Sequence, residues 1–302
     1  MTIRPQQSKC TLAFFGTEPL AEATLSALEE SHFMPALVVA SPDVPDKRTK
    51  VPIAPFEKQW AEERGVPVLQ PHKLSDEFLT EIQTPPSGGT WDLFIVASYG
   101  KILPKKLLDI PAKGVVNVHP SLLPRLRGPS PMRSAILSDE RDVGVSIMLL
   151  DEKMDHGPLL AQRNVAVPEW PPHGAELDAL LAREGAQLLV ETLPQWLDGN
   201  LAPTEQDHTK ATFCKLFTKE DGLVRLDKTP YKNFLKIRAL EGWPGAYTFF
   251  ERKGKKIRVA IIDAHMGPPT GGGKLILDTV RPEGKGDMPY EDFVRSGATP
   301  VV

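Results

Sequence analysis

Strand-like apolar runs that alternate with helix-like segments over the first half of the chain constrain its fold more than any other feature. "TLAFFG" (11–16) is followed by "TEPLAEATLSALEES", where Thr17 and Pro19 suit a helix start and the apolar residues recur at helical spacing. The pairing returns in "MPALVVAS" (34–41) with "PFEKQWAEERG" (55–65), in "VPVLQ" (66–70) with "SDEFLTEI" (75–82), and in "DLFIVASYG" (92–100) with "PKKLLDI" (104–110). "GVVNV" and "GVSIMLLD" (144–151) read as further strands. Both are apolar throughout, as strands covered on two faces are. The expected fold is therefore α/β, a Rossmann-like parallel sheet with ligands bound beyond the carboxyl ends of its strands.

A long helix is expected over "HGAELDALLAREGAQLLVETLPQWLDG" (173–199), and "NLAPTEQDHTKATF" (200–213) has no period and reads as a linker. Beyond it come a helix-like stretch (229–242), two β-rich runs around a Lys/Gly turn (246–265) and "KLILDTV" (274–280). With 302 residues the chain can hold two cores. We expect a first domain over 1–199, a linker over 200–213, and a smaller, mostly β domain over 214–302. "PPTGGGK" (268–274) reads as a loop, because it has neither the strand-to-helix context nor the Lys-Ser/Thr ending of a phosphate cradle.

The net charge of −3 hides an asymmetry: residues 207–302 hold 17 Lys and Arg against 12 Asp and Glu. That surplus points to a polyanionic partner or to a solvated Lys-rich surface, with composition favouring neither. The two cysteines, Cys10 and Cys214, argue against a disulfide scaffold or a four-cysteine metal site. No apolar run approaches a membrane span, and "MTIRPQQSKC" lacks an apolar signal core. A cytoplasmic protein with no membrane partner is expected.

Several chemistries are disfavoured. A dinucleotide fingerprint needs three glycines after the first strand, and "FFGTEPLAEA" has only Gly16, so NAD is not expected. The seven His form no metal-binding pattern, so no metal is expected, and there is no Gly-x-Ser-x-Gly elbow. What remains is Asn117-Val118-His119 at one strand end, with Asp151 and Asp155 in "MLLDEKMDHGP" at another. Residues i and i+2 of a strand share a face, so Asn117 and His119 can address one reacting group. An amide can donate to a developing oxyanion, an imidazole can move protons, and a carboxylate can orient the imidazole. The set suits acyl transfer to an amine without a covalent enzyme intermediate. Against this stands the plainer reading: a His at a strand end is more often a surface or capping residue, and Asp is common in turns.

"NVHPSLLPRLRGPSP" resembles the Asn-x-His-x-Ser-Leu-Leu-Pro-x-x-x-Gly signature of the folate-dependent formyltransferases, and "GVSIMLLDEKMDHGPLL" resembles their segment bearing a catalytic Asp. Within that family the chain is similar, from about residue 11 onward, to the members that formylate methionyl-tRNA. The resemblance implies catalytic roles for Asn117, His119 and Asp155, and 10-formyltetrahydrofolate as co-substrate. It implies a folate pocket built from Ser98, Tyr99, Gly100, Lys101, Ile102 and Leu103, from Ser121, Leu122, Leu123 and Pro124, and from Asp151. For Ile102, Leu103 and Leu122, ordinary core packing is an equal alternative. The loop "PDVPDKRTK" (42–50) matches the family's acceptor-stem loop, which would put Lys47, Arg48 and Lys50 on the phosphates of initiator methionyl-tRNA. The resemblance also implies that 1–199 is the catalytic domain, that 214–302 is an OB-like barrel and that the role is in translation initiation, and a monomer is expected. Val44 stands where the family has Arg, and Lys153 where it has a Gly, a residue that can mark a positive-φ turn.

Two competing readings remain. A formyltransferase acting on a sugar-nucleotide amine would share the signature but would not need the basic loop or the basic C-terminal portion. A non-catalytic RNA-binding protein on the same fold would not need the intact Asn117, His119 and Asp155.

Overall fold

Strand β1 (Leu12–Gly16) lies inside a seven-stranded sheet, and every one of its residues is buried. The computed structural model describes residues 10–17, 19–46, 48–268 and 273–301. After β1 come α1 (Leu20–Glu30), β2 (Leu37–Val39), the short strands β3 (Val44–Pro45) and β4 (Pro52–Ile53), then α2 (Phe56–Glu63), β5 (Val68–Leu69) and α3 (Asp76–Glu81). β6 (Leu93–Ala97), α4 (Lys105–Leu108), β7 (Val115–His119), α5 (Pro131–Leu137), β8 (Val143–Leu149), β9 (Leu159–Val165) and α6 (Gly174–Leu197) follow. The strand order is β5-β2-β1-β6-β7-β8-β9.

Alternation along β1 sends Ala13 and Phe15 into a core with Leu37, Val39, Trp91, Phe94 and Leu107. Trp91 is fully buried, and its indole N–H donates to the Ile82 carbonyl at 2.8 Å, so the ring adds apolar area without an orphaned donor. Gly16 ends β1 where a Cβ would sit 2.8 Å from the Ala21 Cβ and 2.6 Å from the Phe14 ring, so the strand can meet α1 closely only as glycine.

Three features add detail that the expectations lacked. The sheet is parallel from β5 to β7, but β7–β8 and β8–β9 are antiparallel. Nine residues join β8 to β9, fewer than the dozen or so that a parallel crossover needs. Next, the stretch 42–50 carries β3 of a two-stranded hairpin rather than an open loop. Finally, the linker and the domain limits differ from the expected 1–199, 200–213 and 214–302. One compact unit comprises the chain up to Pro129 with Asp142–Ala166 and Asp178–Phe213, and the other comprises Ser130–Arg141, Val167–Leu177 and Cys214–Val302. The 200–213 stretch is therefore part of the first unit. Its Thr204 exchanges both backbone hydrogen bonds with Leu159 at 2.8 Å, and its Gln206 is only 5% exposed.

The second unit is the small, mostly β body expected, together with α5. After α7 (Pro230–Ala239) come β10 (Tyr247–Arg252), β11 (Lys255–Met266), β12 (Leu275–Pro282), β13 (Met288–Pro289), α8 (Tyr290–Arg295) and β14 (Thr299–Pro300). The strands form one antiparallel sheet, ordered β13-β12-β11-β10-β14. Phe250, Val259, Ile261, Val280 and Phe293 fill its core, with Ile237 from α7. The register shifts between Ile261 and Ala264, where β11 bulges. Of the "PPTGGGK" stretch, residues 269–272 lie outside the described residues.

Candidate active site

β6 and β7 are parallel neighbours, so their carboxyl ends open at one edge of the sheet. Asn117 and His119 sit two apart on β7 and share a face, 8% and 4% exposed. The Asn117 carboxamide hydrogen-bonds to no other described residue, which leaves its N–H groups available to a ligand. His119 is committed on one side only. Its Nε2 lies 3.1 Å from the Leu126 carbonyl oxygen, which can only accept, so Nε2 carries the hydrogen.

His119 Nδ1 is 3.7 Å from Asp155 Oδ1, beyond a direct hydrogen bond, so the carboxylate faces this ring nitrogen without bonding it directly. The other oxygen, Asp155 Oδ2, accepts from the Gly128 N–H at 2.6 Å. Asp155 itself has φ 47, in the left-handed region, whereas Lys153 does not. The positive-φ position in this loop therefore falls two residues later than the family's Gly suggested, on an Asp, which tolerates that region better than most residues. Gly157 completes the tight turn, since a Cβ there would sit 2.1 Å from the Leu149 carbonyl oxygen.

Two loops flank this group. In the first, Ser98 and Gly100 have positive φ, Tyr99 and Leu103 are buried in the core, Lys101 donates to the Pro71 carbonyl, and Ile102 is 76% exposed. For Leu103 packing is the observed role, and Ile102 is an apolar side chain left open at the sheet edge. In the second, the Ser121 hydroxyl donates to the Arg125 carbonyl at 2.6 Å, and Leu122 packs on Gly144. The buried Ser146 hydroxyl accepts from the Leu123 N–H at 3.1 Å and donates to the Ser121 carbonyl at 2.6 Å, while Gln162 donates to the Leu123 carbonyl at 2.7 Å. Strands β8 and β9 thus hold the Ser121–Pro124 loop. Asp151 commits both oxygens within its own loop, accepting from the Lys153 N–H at 2.8 Å and meeting His156 Nδ1 at 2.6 Å.

Tyr99 has an unusual hydroxyl. It is buried with no hydrogen-bond partner among the described residues, and burial pushes its pKa up to about 12. A buried hydroxyl without a partner costs stability. Tyr99→Phe should leave the denaturant midpoint unchanged or raise the unfolding free energy by about 1 kcal/mol. A clear loss in equilibrium unfolding would reveal a partner for that oxygen.

The β3–β4 hairpin holds Arg48 and Lys50 exposed, with no ion pair among the described residues. Lys47 lies outside the described residues. The hairpin turn is shaped by Asp46, whose Oδ1 accepts from the Arg48 and Thr49 N–H groups at 2.9 and 2.6 Å. Those backbone bonds and the Thr49 hydroxyl hold the Asp46 carboxyl below the usual carboxylate range. Among the described residues no cluster of His, Cys, Asp and Glu could hold a metal ion.

Residues 9–193 match the formyl transferase family model. The chain is 38% identical to the methionyl-tRNA formyltransferase of Roseiflexus castenholzii, over 94% of this chain and 95% of the relative. The chain belongs to the formyl transferase family, in its methionyl-tRNA formyltransferase branch. The same named enzyme from Bacillus licheniformis is 37% identical over 94% of each chain. Among solved structures, the N-formyltransferase of Helicobacter canadensis, bound to folinic acid and dTDP-3-aminofucose, superposes with a TM-score of 0.63. It is 17% identical and covers 89% of this chain and 98% of its own, a likeness of fold alone.

Sequence reasoning missed the residues that hold this candidate site together. Arg127 is 3% exposed; its guanidinium donates to Gln206 Oε1 through Nε at 3.2 Å and Nη2 at 2.7 Å, and to His208 Nδ1 at 2.8 Å. Burial lowers the Arg127 pKa, and the charges of Asp155 and Asp151 oppose that. Arg127 was visible inside the signature stretch. Gln206 gave no signal, because a lone amide in an aperiodic stretch has no pattern to announce it.

Proposed function

We propose that this chain transfers the formyl group of 10-formyltetrahydrofolate to the α-amine of methionine on initiator tRNA, as a cytoplasmic monomer serving translation initiation. The observation that carries the reading is the uncommitted Asn117 carboxamide beside a His119 whose Nε2–H is fixed and whose Nδ1 faces Asp155. The bound folate supplies a formyl group on a nitrogen that can leave once protonated. Asn117 donates to the formyl oxygen as charge builds there. His119 takes the amine proton at Nδ1 and returns it to the leaving nitrogen, while Asp155 stabilises the charged ring.

The folate fits the sheet edge. Ile102 offers an exposed apolar surface for a flat ring, and the backbone groups of Ser98–Leu103 and Ser121–Pro124 offer polar contacts around it. Asp151 acts there by shaping its loop.

The acceptor is read from charge. Arg48 and Lys50 are free cations on the β3–β4 hairpin. In the second unit Arg252, Lys253, Lys255, Lys256 and Arg258 crowd the β10–β11 hairpin without an ion pair among the described residues, with Lys256 and Arg258 lying over the Phe249 and Tyr247 rings at 4.1 and 3.9 Å. Aromatic rings with unpaired cations suit an RNA backbone. Arg48→Ala and Lys50→Ala should each raise KM for methionyl-tRNA, leave kcat largely intact, and flatten the slope of log affinity against log salt by about 1. Unchanged salt slopes would take these residues off the RNA.

The test of the function is transfer itself. Purified protein mixed with 10-formyltetrahydrofolate and methionyl-tRNA should yield formylmethionyl-tRNA and tetrahydrofolate in equal amounts. Absence of formylated product would overturn the reading.

A further inference from the structure

The 204–213 stretch is stitched to both loops that meet at His119 and Asp155. Thr204 pairs with Leu159 after the Asp155 loop. Thr212 receives the Arg127 N–H at its carbonyl at 2.9 Å and the Leu126 N–H at its hydroxyl at 2.8 Å. Between these anchors stands Gln206, whose whole amide is engaged. Its Nε2 donates to the Asp155 carbonyl at 3.0 Å and the Gly157 carbonyl at 2.6 Å, and its Oε1 accepts from Arg127. At the solvent side His208 takes the Arg127 donor and stacks on His156 at 4.0 Å, and His156 in turn meets Asp151.

We infer that Gln206 is a positioning residue for formyl transfer, holding the left-handed Asp155 turn so that the Asp155 carboxylate faces His119. The turn needs such a hold. A non-glycine residue at φ 47 stores strain that its surroundings must offset, and Gln206 binds the two carbonyls that flank His156 in that turn. A buried amide with every donor and acceptor used is also a costly thing to disturb, so the hold is stiff. Arg127 completes the clamp by fixing the Gln206 oxygen, which leaves the two Nε2 hydrogens for the turn.

The inference rests on the formyl-transfer reading for its kinetic consequence but not for its structural one, and the test separates the two. Gln206→Glu keeps an acceptor for the buried Arg127 and replaces the donor to Asp155 and Gly157 with a carboxylate oxygen that their carbonyls repel. With Gln206→Glu we expect kcat to fall at least tenfold, KM for either substrate to change less than threefold, and the melting transition to remain cooperative. In an Asp155→Ala background, the same change should lower kcat no further, because Gln206 acts through Asp155. A second tenfold loss in that background would overturn the inference, as would full activity of the single variant. The readout independent of activity is the Gly128 N–H, which Asp155 Oδ2 holds. Its hydrogen exchange should accelerate at least tenfold in Gln206→Glu. If that amide stays as protected as in the native chain, the clamp does not position Asp155, whatever reaction the protein performs.

Discussion

Asn117→Ala lowers kcat by about 100- to 1,000-fold, the loss typical of removing one oxyanion donor. KM for folate and for methionyl-tRNA changes little, and the protein stays folded. The reasons lie in the side chain's surroundings. The Asn117 carboxamide makes no hydrogen bond to another described residue, so its removal orphans no protein partner. Its strand is held by backbone pairing, to Val96 on one side and Met148 on the other, and by buried Val116 and Val118. Truncation therefore removes an interaction that strengthens as charge develops, and such a loss appears in kcat rather than in ground-state binding. Single-turnover rates of formyl transfer, with an unfolding curve alongside, are the check. A variant within threefold of native would show that Asn117 does not meet the formyl oxygen.

His119→Ala is expected to cost about 100- to 10,000-fold in kcat, the range for removing a general acid–base group. With Nε2–H fixed on the Leu126 carbonyl, Nδ1, which faces the Asp155 carboxylate, is the nitrogen left to exchange protons. This variant is distinguished from Asn117→Ala by chemical rescue. Imidazole added to His119→Ala should restore part of the rate, and added amides should not. An enzyme that keeps its rate without His119 would move the proton transfer elsewhere, and Asp155 would then be the group to examine.

Much of this site was legible because it lies on a strand. The two-residue period fixes Asn117 and His119 to one face whatever surrounds them, and the apolar residues of "GVVNV" announce burial. The parallel core from β5 to β7 was legible because strand-like runs alternate with helix-like segments there. What escaped depends on things a period does not encode. Continuous apolar residues such as those of β8 indicate coverage on both faces, not direction, so the antiparallel direction of Val143–Leu149 was invisible. The 200–213 stretch escaped because side-chain hydrogen bonds, not periodic apolar contacts, anchor it: Gln206 reads as a polar loop residue and yet is buried. The left-handed φ at Asp155 was sought at Lys153, because a family glycine suggests such a position without showing that this chain keeps it there.

A side-by-side rate comparison identifies the acceptor. Purified protein is given 10-formyltetrahydrofolate and, in parallel, methionyl-tRNA or a nucleotide-linked amino sugar at matched concentrations, with kcat/KM measured for each. The account predicts that formylation of methionyl-tRNA exceeds that of the sugar by at least 1,000-fold and falls steeply as salt is raised. Efficient formylation of the amino sugar with none of methionyl-tRNA would contradict it.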